Sequence, residues 1–504
     1  MRPLLAIQQT AQYKRHRPEN TLLYQLVERH YPEFLEHLSH QGKSLPRHVE
    51  KEFDEFLKCG RLEHGFLRVV CDDCKHEKLV AFSCKRRGFC PSCGARRMAE
   101  SAKLLVDDVL QGYPVRQWVL SLPIPLRLLL ARYPKELSKV MQIIHRAIAT
   151  DIIHRAGCLK KQANTGAVTY IQRFGSALNL NIHFHMLFLE GVIKQEKGKT
   201  KFSRVKAPSH SDMERLVNTI SHRIAQYLEK VGLIQRDTQN TYLELPMDDE
   251  DSLLQLQAAS VSYRIAVGAD AGKKVFSLQT MPARDLENYG QLAKIAGFSL
   301  HAGVFADTHQ GDKLERLCRY ISRPAVSEKR LSLTSTGNVR YELKTPYNDG
   351  TTHVFFEPLD FIAKLAALVP PPRLNLTRFY GVFAPNAKVR AQVTASQRGK
   401  NSSRLVERLK DSDKPYHARS MSWSQRLKRV FNIDITVCEA CKKTNVKIIA
   451  CITEPATIQK ILTHLDKQDS PITANSSRAP PLNESVQPTL LEDFVIQRDF
   501  DFGA

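Results

Sequence analysis

A chain of 504 residues is too long for a single hydrophobic core and divides, at ordinary domain sizes, into about three or four folding units. Lys and Arg outnumber Asp and Glu by 74 to 52, a net charge of +22 that attracts polyanions through counterion release. Nucleic acid leads as the partner, although a basic membrane-surface protein would carry the same charge. The chain has no apolar run of about 18 residues, and the Met1-to-Ile7 start lacks a signal-peptide core. A cytoplasmic chain with reduced thiols and no membrane partner is expected, so its eleven cysteines point to metal rather than to a disulfide framework.

Residues 1–57 read as a helical cap, with Leu22, Leu26 and Val27 spaced for one buried face. Residues 58–107 turn basic and cysteine-rich. Cys71-Asp72-Asp73-Cys74 and Cys90-Pro91-Ser92-Cys93 are two CxxC knuckles separated by fifteen residues, the spacing of a four-cysteine zinc ribbon. Four thiolates give zinc a closed tetrahedral shell, so this expected site is structural. Cys84 and His76 lie inside the module as alternative ligands. Lys85, Arg86, Arg87, Arg96 and Arg97 crowd the second knuckle and suit a phosphate-gripping, DNA-binding surface, against the plainer reading of a solvated charged face.

Residues 108–372 mix strands (115–120, 167–174, 180–189, 298–305) with helices, one at 213–231 ended by Gly232 and one around Tyr320. An α+β layer follows, with an antiparallel sheet covered on one side. Stretches 193–207 and 234–251 are turn-rich and read as surface excursions. On strand 180–189, alternation places Ile182, Phe184, Met186 and Phe188 on one face and Asn181, His183 and His185 on the other. Two imidazoles side by side can hold one divalent ion, manganese or magnesium, or can be two polar core histidines. A third ligand is left open among His301, Glu190 and Gln172.

In the helix around Tyr320, Leu314, Leu317, Cys318 and Ile321 form an apolar stripe. Tyr320 lies at its edge with Arg316 and Arg323 on the same side. A phenol titrates near 10, so it needs neighbouring cations to attack at neutral pH. The plainer reading is a boundary tyrosine with solvated arginines.

Residues 373–465 comprise a basic, Ser-rich arm over 393–419 and a small element around Trp423 to Leu462. Within that element Cys438-Glu439-Ala440-Cys441 is half a zinc site lacking evident partners. Phe379 and Tyr380 suggest base stacking or half-buried aromatics. Residues 466–504 read as a disordered tail.

Three segments together carry a resemblance. The cysteine-rich run 82–93, the Asn181-Ile182-His183-Phe184-His185 strand and the run Leu317-Cys318-Arg319-Tyr320-Ile321-Ser322-Arg323-Pro324 resemble, in that order, insertion-sequence-ninety-one family rolling-circle transposases. The likeness extends over roughly residues 10–460 and includes 349–358 and 381–386. It implies an HUH endonuclease domain with a ferredoxin- or RRM-like sheet, metal on His183 and His185, Tyr320 as nucleophile, and single-stranded DNA cut through a 5′-phosphotyrosine. Two-tyrosine members carry a second tyrosine four residues away, where this chain has Arg316 and Pro324. It therefore looks closer to the single-tyrosine, common-region branch, with reuse of Tyr320 or a second protomer as the ways to finish the reaction. A non-catalytic zinc-ribbon DNA-binding protein, and an HUH replication initiator or relaxase, are the competing readings.

Overall fold

The computed structural model describes residues 17–196, 199–236, 241–244, 251–283, 292–396 and 437–468. Helix α1 (Leu22–His40) begins at Thr21, whose hydroxyl accepts the Tyr24 N–H, and buries Leu23, Leu26, Val27 and Phe34. Helix α2 (Arg47–Lys58) adds Phe53 and Phe56. Both rings pack on Phe89 of the cysteine-rich segment, at 4.7 and 5.1 Å between centroids. The cap is thus built into the module that follows it.

In that module β1 (Phe66–Cys71) and β2 (Glu77–Ala81) form an antiparallel hairpin. Helix α3 (Pro91–Lys103) starts at the second knuckle and continues as a π-helical run to Val109, so the expected boundary near 108 falls at the end of one helical rod. Next come β3 (Val115–Ser121), α4 (Ile124–Arg132), α5 (Pro134–Arg155), β4 (Gly166–Phe174) and β5 (Leu180–Leu189). They are followed by α6 (His210–Lys230), α7 (Ser252–Val261), β6 (Leu292–Ile295), β7 (Phe298–Ala306) and α8 (Gly311–Ile321). Helix α9 (Pro358–Leu368), β8 (Thr377–Gly381) and β9 (Val446–Ile452) complete the elements used below. Helix α6 has a full capping box, Ser209 with Asp212, and stops before Gly232 at φ +72°.

The main sheet is antiparallel throughout, in the order β6-β7-β3-β5-β4-β8. Strand β5 is buried along its whole length. The expected one-sided sheet is therefore corrected to one covered on both faces. Ile182, Phe184 and Phe188 join Trp118 and Leu120 in a core that includes α4, α5, α6 and α7. Val168, Tyr170, Leu187 and Leu189 pack on the other side against Leu314, Leu317, Cys318 and Ile321 of α8. The apolar second half of the histidine-bearing parity, Leu187 and Leu189, is what buries that face.

Strand β9 pairs antiparallel with β1, giving a small sheet in the order β9-β1-β2. Residues near the C-terminus thereby return to the cysteine module. The two turn-rich stretches contain hairpins, Gly191–Glu196 with Lys199–Arg204 and Ile234–Arg236 with Thr241–Leu243. Most of the basic arm, Trp423 and nearly all of the tail (397–436 and 469–504) lie outside the described residues. Among the described residues no helix is long and apolar enough to cross a membrane.

Candidate functional site

The cysteines form two quartets, neither of them the one expected. Cys90 and Cys93 gather with Cys59 and Cys84, whereas Cys71 and Cys74 gather with Cys438 and Cys441. In the first, Sγ separations are 3.7 Å for Cys59–Cys93, 3.4 Å for Cys84–Cys93 and 3.8 Å for Cys59–Cys90. In the second they are 3.6 Å for Cys71–Cys441 and 3.4 Å for Cys74–Cys438. Tetrahedral thiolates on bonds of about 2.3 Å stand about 3.8 Å apart, so both sets fit zinc.

The grouping of Cys71 and Cys74 with Cys90 and Cys93 is thus corrected. The physical reason is the hairpin. Strand β1 ends at Cys71 and its knuckle meets the matching knuckle at the start of the β9 segment, on which Asp72 N–H also donates to the Asn445 carbonyl at 2.8 Å. Both knuckles end in a left-handed lysine, Lys75 at φ 61° and Lys442 at φ 62°. Of the two alternative ligands, Cys84 stands in the first quartet, and His76 is exposed and outside both sets. Cys438-Glu439-Ala440-Cys441, half a site in sequence, finds its other half 364 residues earlier.

On the main sheet, pairing sets His183 opposite Ser121 and Gln172, and His185 opposite Val119 and Tyr170. Both imidazoles are buried, at 0% and 1% exposure. Burial holds His183 down to about 3, with the Asn181 carbonyl opposing, and pushes His185 well below the ordinary histidine range. Neutral rings are the form a metal needs. The His183 Nδ1–H donates to the Asn181 carbonyl at 3.0 Å, which leaves the lone pair on Nε2. That Nε2 lies 3.1 Å from the His185 Nε2 and 2.9 Å from Gln172 Oε1.

Lone pairs on His183 Nε2 and Gln172 Oε1 therefore meet beside His185 Nε2. Octahedral ligands at right angles on bonds of about 2.1 Å are about 3.0 Å apart, a spacing that both separations from His183 Nε2 match. The Gln172 amide donates to the Ile321 carbonyl at 3.4 Å, which turns its oxygen toward the histidines. The Gln117 amide nitrogen donates to His185 Nδ1 at 2.7 Å, which puts the ring proton on Nε2; turning that amide so that its oxygen accepts an Nδ1–H frees the Nε2 lone pair that a metal needs. The other two third-ligand candidates are elsewhere: Glu190 pairs with Arg116 at 2.7 Å, and His301 Nδ1 accepts the Gly303 N–H.

Tyr320 is half-buried beside this trio, its ring edge-on to His185 with 6.2 Å between centroids. Arg323 covers the phenol ring, with Cζ 4.6 Å from its centroid. Arg316 is half-buried one turn earlier, its Nε without an acceptor among the described residues. Sequence reasoning missed Lys344, whose Nζ lies 4.4 Å from the same ring centroid. Burial, then Arg323 and Arg330, pushes its ammonium down to about 8. No local pattern around Lys344 marks it; only the tertiary fold brings it there.

Of the five basic residues at the second knuckle, Arg86, Arg87 and Arg97 line a cleft that also contains Gln172 and Arg323. Lys85 is exposed, and Arg96 bonds Ser83 and approaches Glu100. Helix α3 comes close to the residues after Tyr320 at Gly94, where a Cβ would meet Pro324 Cβ at 2.6 Å. Tyr380 stacks on His145 at 4.5 Å and Arg390 covers Phe379, so both aromatics have intramolecular partners.

Residues 166–391 match a family model described as "Putative transposase", and residues 26–122 match one described as "Transposase zinc-binding domain" of the insertion-sequence-ninety-one type. The first match spans Gln172, His183, His185, Tyr320 and Lys344; the second spans Cys59 to Cys93 but not Cys438 or Cys441. No curated protein and no solved structure gives a significant match.

Proposed function

We propose that this chain, whose family matches support an insertion-sequence-ninety-one-type transposase with a zinc-binding domain, nicks and rejoins single-stranded DNA through a 5′-phosphotyrosine on Tyr320. The family matches make DNA the partner and strand cleavage with transfer the activity. The observation that carries the finer reading is the juxtaposition of one half-buried phenol with three neighbouring side chains of metal-ligand type, His183, His185 and Gln172. We read the domain as HUH-like and the chain as a cytoplasmic, rolling-circle enzyme of the single-tyrosine kind, with a second protomer as a way to complete strand exchange.

A magnesium or manganese ion on the trio would neutralise and polarise the scissile phosphate. The chain's own groups do the rest. The Lys344 amine, close to the phenol, takes its proton; the phenolate oxygen bonds to phosphorus; the P–O3′ bond breaks, and the 3′ oxygen leaves as a hydroxyl with a proton returned from the ammonium. Arg323 and Arg316 stabilise phenolate and phosphate charge. Arg86, Arg87, Arg96, Arg97 and Lys85 supply salt-dependent grip on the strand. Zinc on the two cysteine quartets is structural, since four thiolates leave no open position.

The test is a denaturing gel of protein with labelled single strands from the element's ends, in manganese or magnesium. A metal-dependent protein–DNA adduct is expected, lost in Tyr320→Phe and in the His183→Ala/His185→Ala double variant. Metal-independent cutting, or an adduct that persists in Tyr320→Phe, would overturn the residue assignment.

A further inference from the structure

A cavity of about 100 Å³ separates the zinc module from the main sheet. Arg86, Arg87 and Arg97 line it from the module, Arg173 from the end of β4 and Arg323 from the loop after α8. No Asp or Glu is among its lining residues. Carboxylates reach the module's arginines and not Arg173: Glu52 accepts the Gly88 N–H and acts on Arg86, Arg97 and Arg87, and Glu55 is 3.9 Å from Arg86.

Arg173 is the unexplained group. It is 4% exposed, its Nε donates to the Leu368 carbonyl at 3.3 Å, and its Nη1 and Nη2 have no acceptor among the described residues. Arg323 Nη1 and Arg86 Nε are in the same position. A guanidinium stays charged at neutral pH. A buried, uncompensated guanidinium is costly, and a fold that keeps one lined up with four more holds a site for an anion. His48, pushed down by burial and then by Arg173, offers no counter-charge.

We propose that this cavity seats one non-scissile phosphate of the DNA strand, clamped between Arg173 on the sheet and Arg87 and Arg97 on the zinc module. Guanidinium forks match the two free oxygens of a phosphodiester. Arg323 faces both this cavity and the Tyr320 ring, so the seated phosphate is a neighbour of the one under attack. The zinc module and the sheet would then close on one strand and set the reach from the gripped phosphate to the phenol. The proposal rests on the reading of the chain as a single-strand DNA enzyme, but it concerns binding and not the chemical step.

The experiment is a methylphosphonate scan. Single neutral linkages are walked along a bound oligonucleotide, and affinity of the zinc-loaded full chain is read by anisotropy for wild type, Arg173→Met and Arg97→Gln. In wild type one position should cost about tenfold, the worth of a charge-assisted hydrogen-bonded contact. In Arg173→Met the penalty at that same position should shrink severalfold, since Arg87 and Arg97 remain, and the free variant should melt higher, because a buried charge is gone. Arg97→Gln, on the opposite wall, should blunt the same position and serves if Arg173→Met does not fold. A flat scan, or an unchanged penalty at that position in either folded variant, overturns the proposal. Because the readout is binding, loss of the Tyr320 assignment would leave this result standing, and the reverse.

Discussion

Replacing Cys438 and Cys441 by Ser should remove one of two zinc ions and release the C-terminal segment while leaving the rest of the chain folded. The magnitude follows from how little else holds residues 437–468. Among the described side chains of 437–464 the buried apolar ones are Cys438 and Ile458, the latter set against Leu62 and Phe66. Burying one isoleucine contributes about 1.5–3 kcal/mol. Ladder bonds between β9 and β1 add about 1 kcal/mol each. A structural zinc contributes apparent binding energy of about 10–16 kcal/mol, and is the term that holds the segment on. Zinc content by mass spectrometry should fall from two per chain to one, and amide exchange across 446–452 should lose its protection while 180–189 keeps it. Cys59→Ser should also cost one zinc but destabilise the Phe53–Phe56–Phe89 packing beside it. One zinc in wild type, or full protection of 446–452 in the double variant, would refute the split of the cysteines.

Gln172→Ala should weaken metal dependence, raising the manganese needed for half-maximal adduct formation by about tenfold or more; an unchanged midpoint would remove Gln172 from the trio. Lys344 is pushed down to about 8, so its neutral, proton-accepting form grows as pH rises to that value, and nicking should quicken from pH 6.5 to about 8. Lys344→Met should flatten this rise and slow the plateau about 100-fold, and a persisting rise would discard its role as base. His145 is held at about 4 by burial, with its Nε2 lacking a partner among the described residues. The unfolded chain protonates this ring near 6.5, so its stabilising contribution is complete above that pH and falls by up to about 3 kcal/mol as pH drops toward 4. Unfolding of His145→Phe at pH 7 and pH 4.5 should show a smaller acid loss than wild type, and an equal loss would contradict the sign argued here.

What could be read ahead of the fold was whatever local periodicity decides. Strand alternation put His183 and His185 on one face, and helical spacing put Tyr320 at the edge of an apolar stripe; β5 and α8 carry them so. Helix α6 announced itself through its apolar period and its final glycine. What escaped is what chain-distant pairing decides. CxxC spacing says that two sulfurs share a metal but not which other pair completes it, so spacing alone joins Cys71 and Cys74 to the nearer Cys90 and Cys93, whereas the β1–β9 ladder brings them Cys438 and Cys441. Gln172 stood as one of three ligand candidates until strand register set it opposite His183. Lys344 and Arg173 left no trace in their neighbours in sequence, because burial beside other charges gives each its interest.

The most direct test of the central claim is to digest the purified protein–DNA adduct with trypsin and nuclease and locate the residual nucleotide by mass spectrometry. The chain should be cut after Arg319 and spared before Pro324, giving a peptide from Tyr320 to Lys329 in which Tyr320 is the one tyrosine. That peptide carrying a 5′-linked nucleotide phosphate is the result predicted; a nucleotide on any other residue, or none on an adduct-competent protein, would contradict the account.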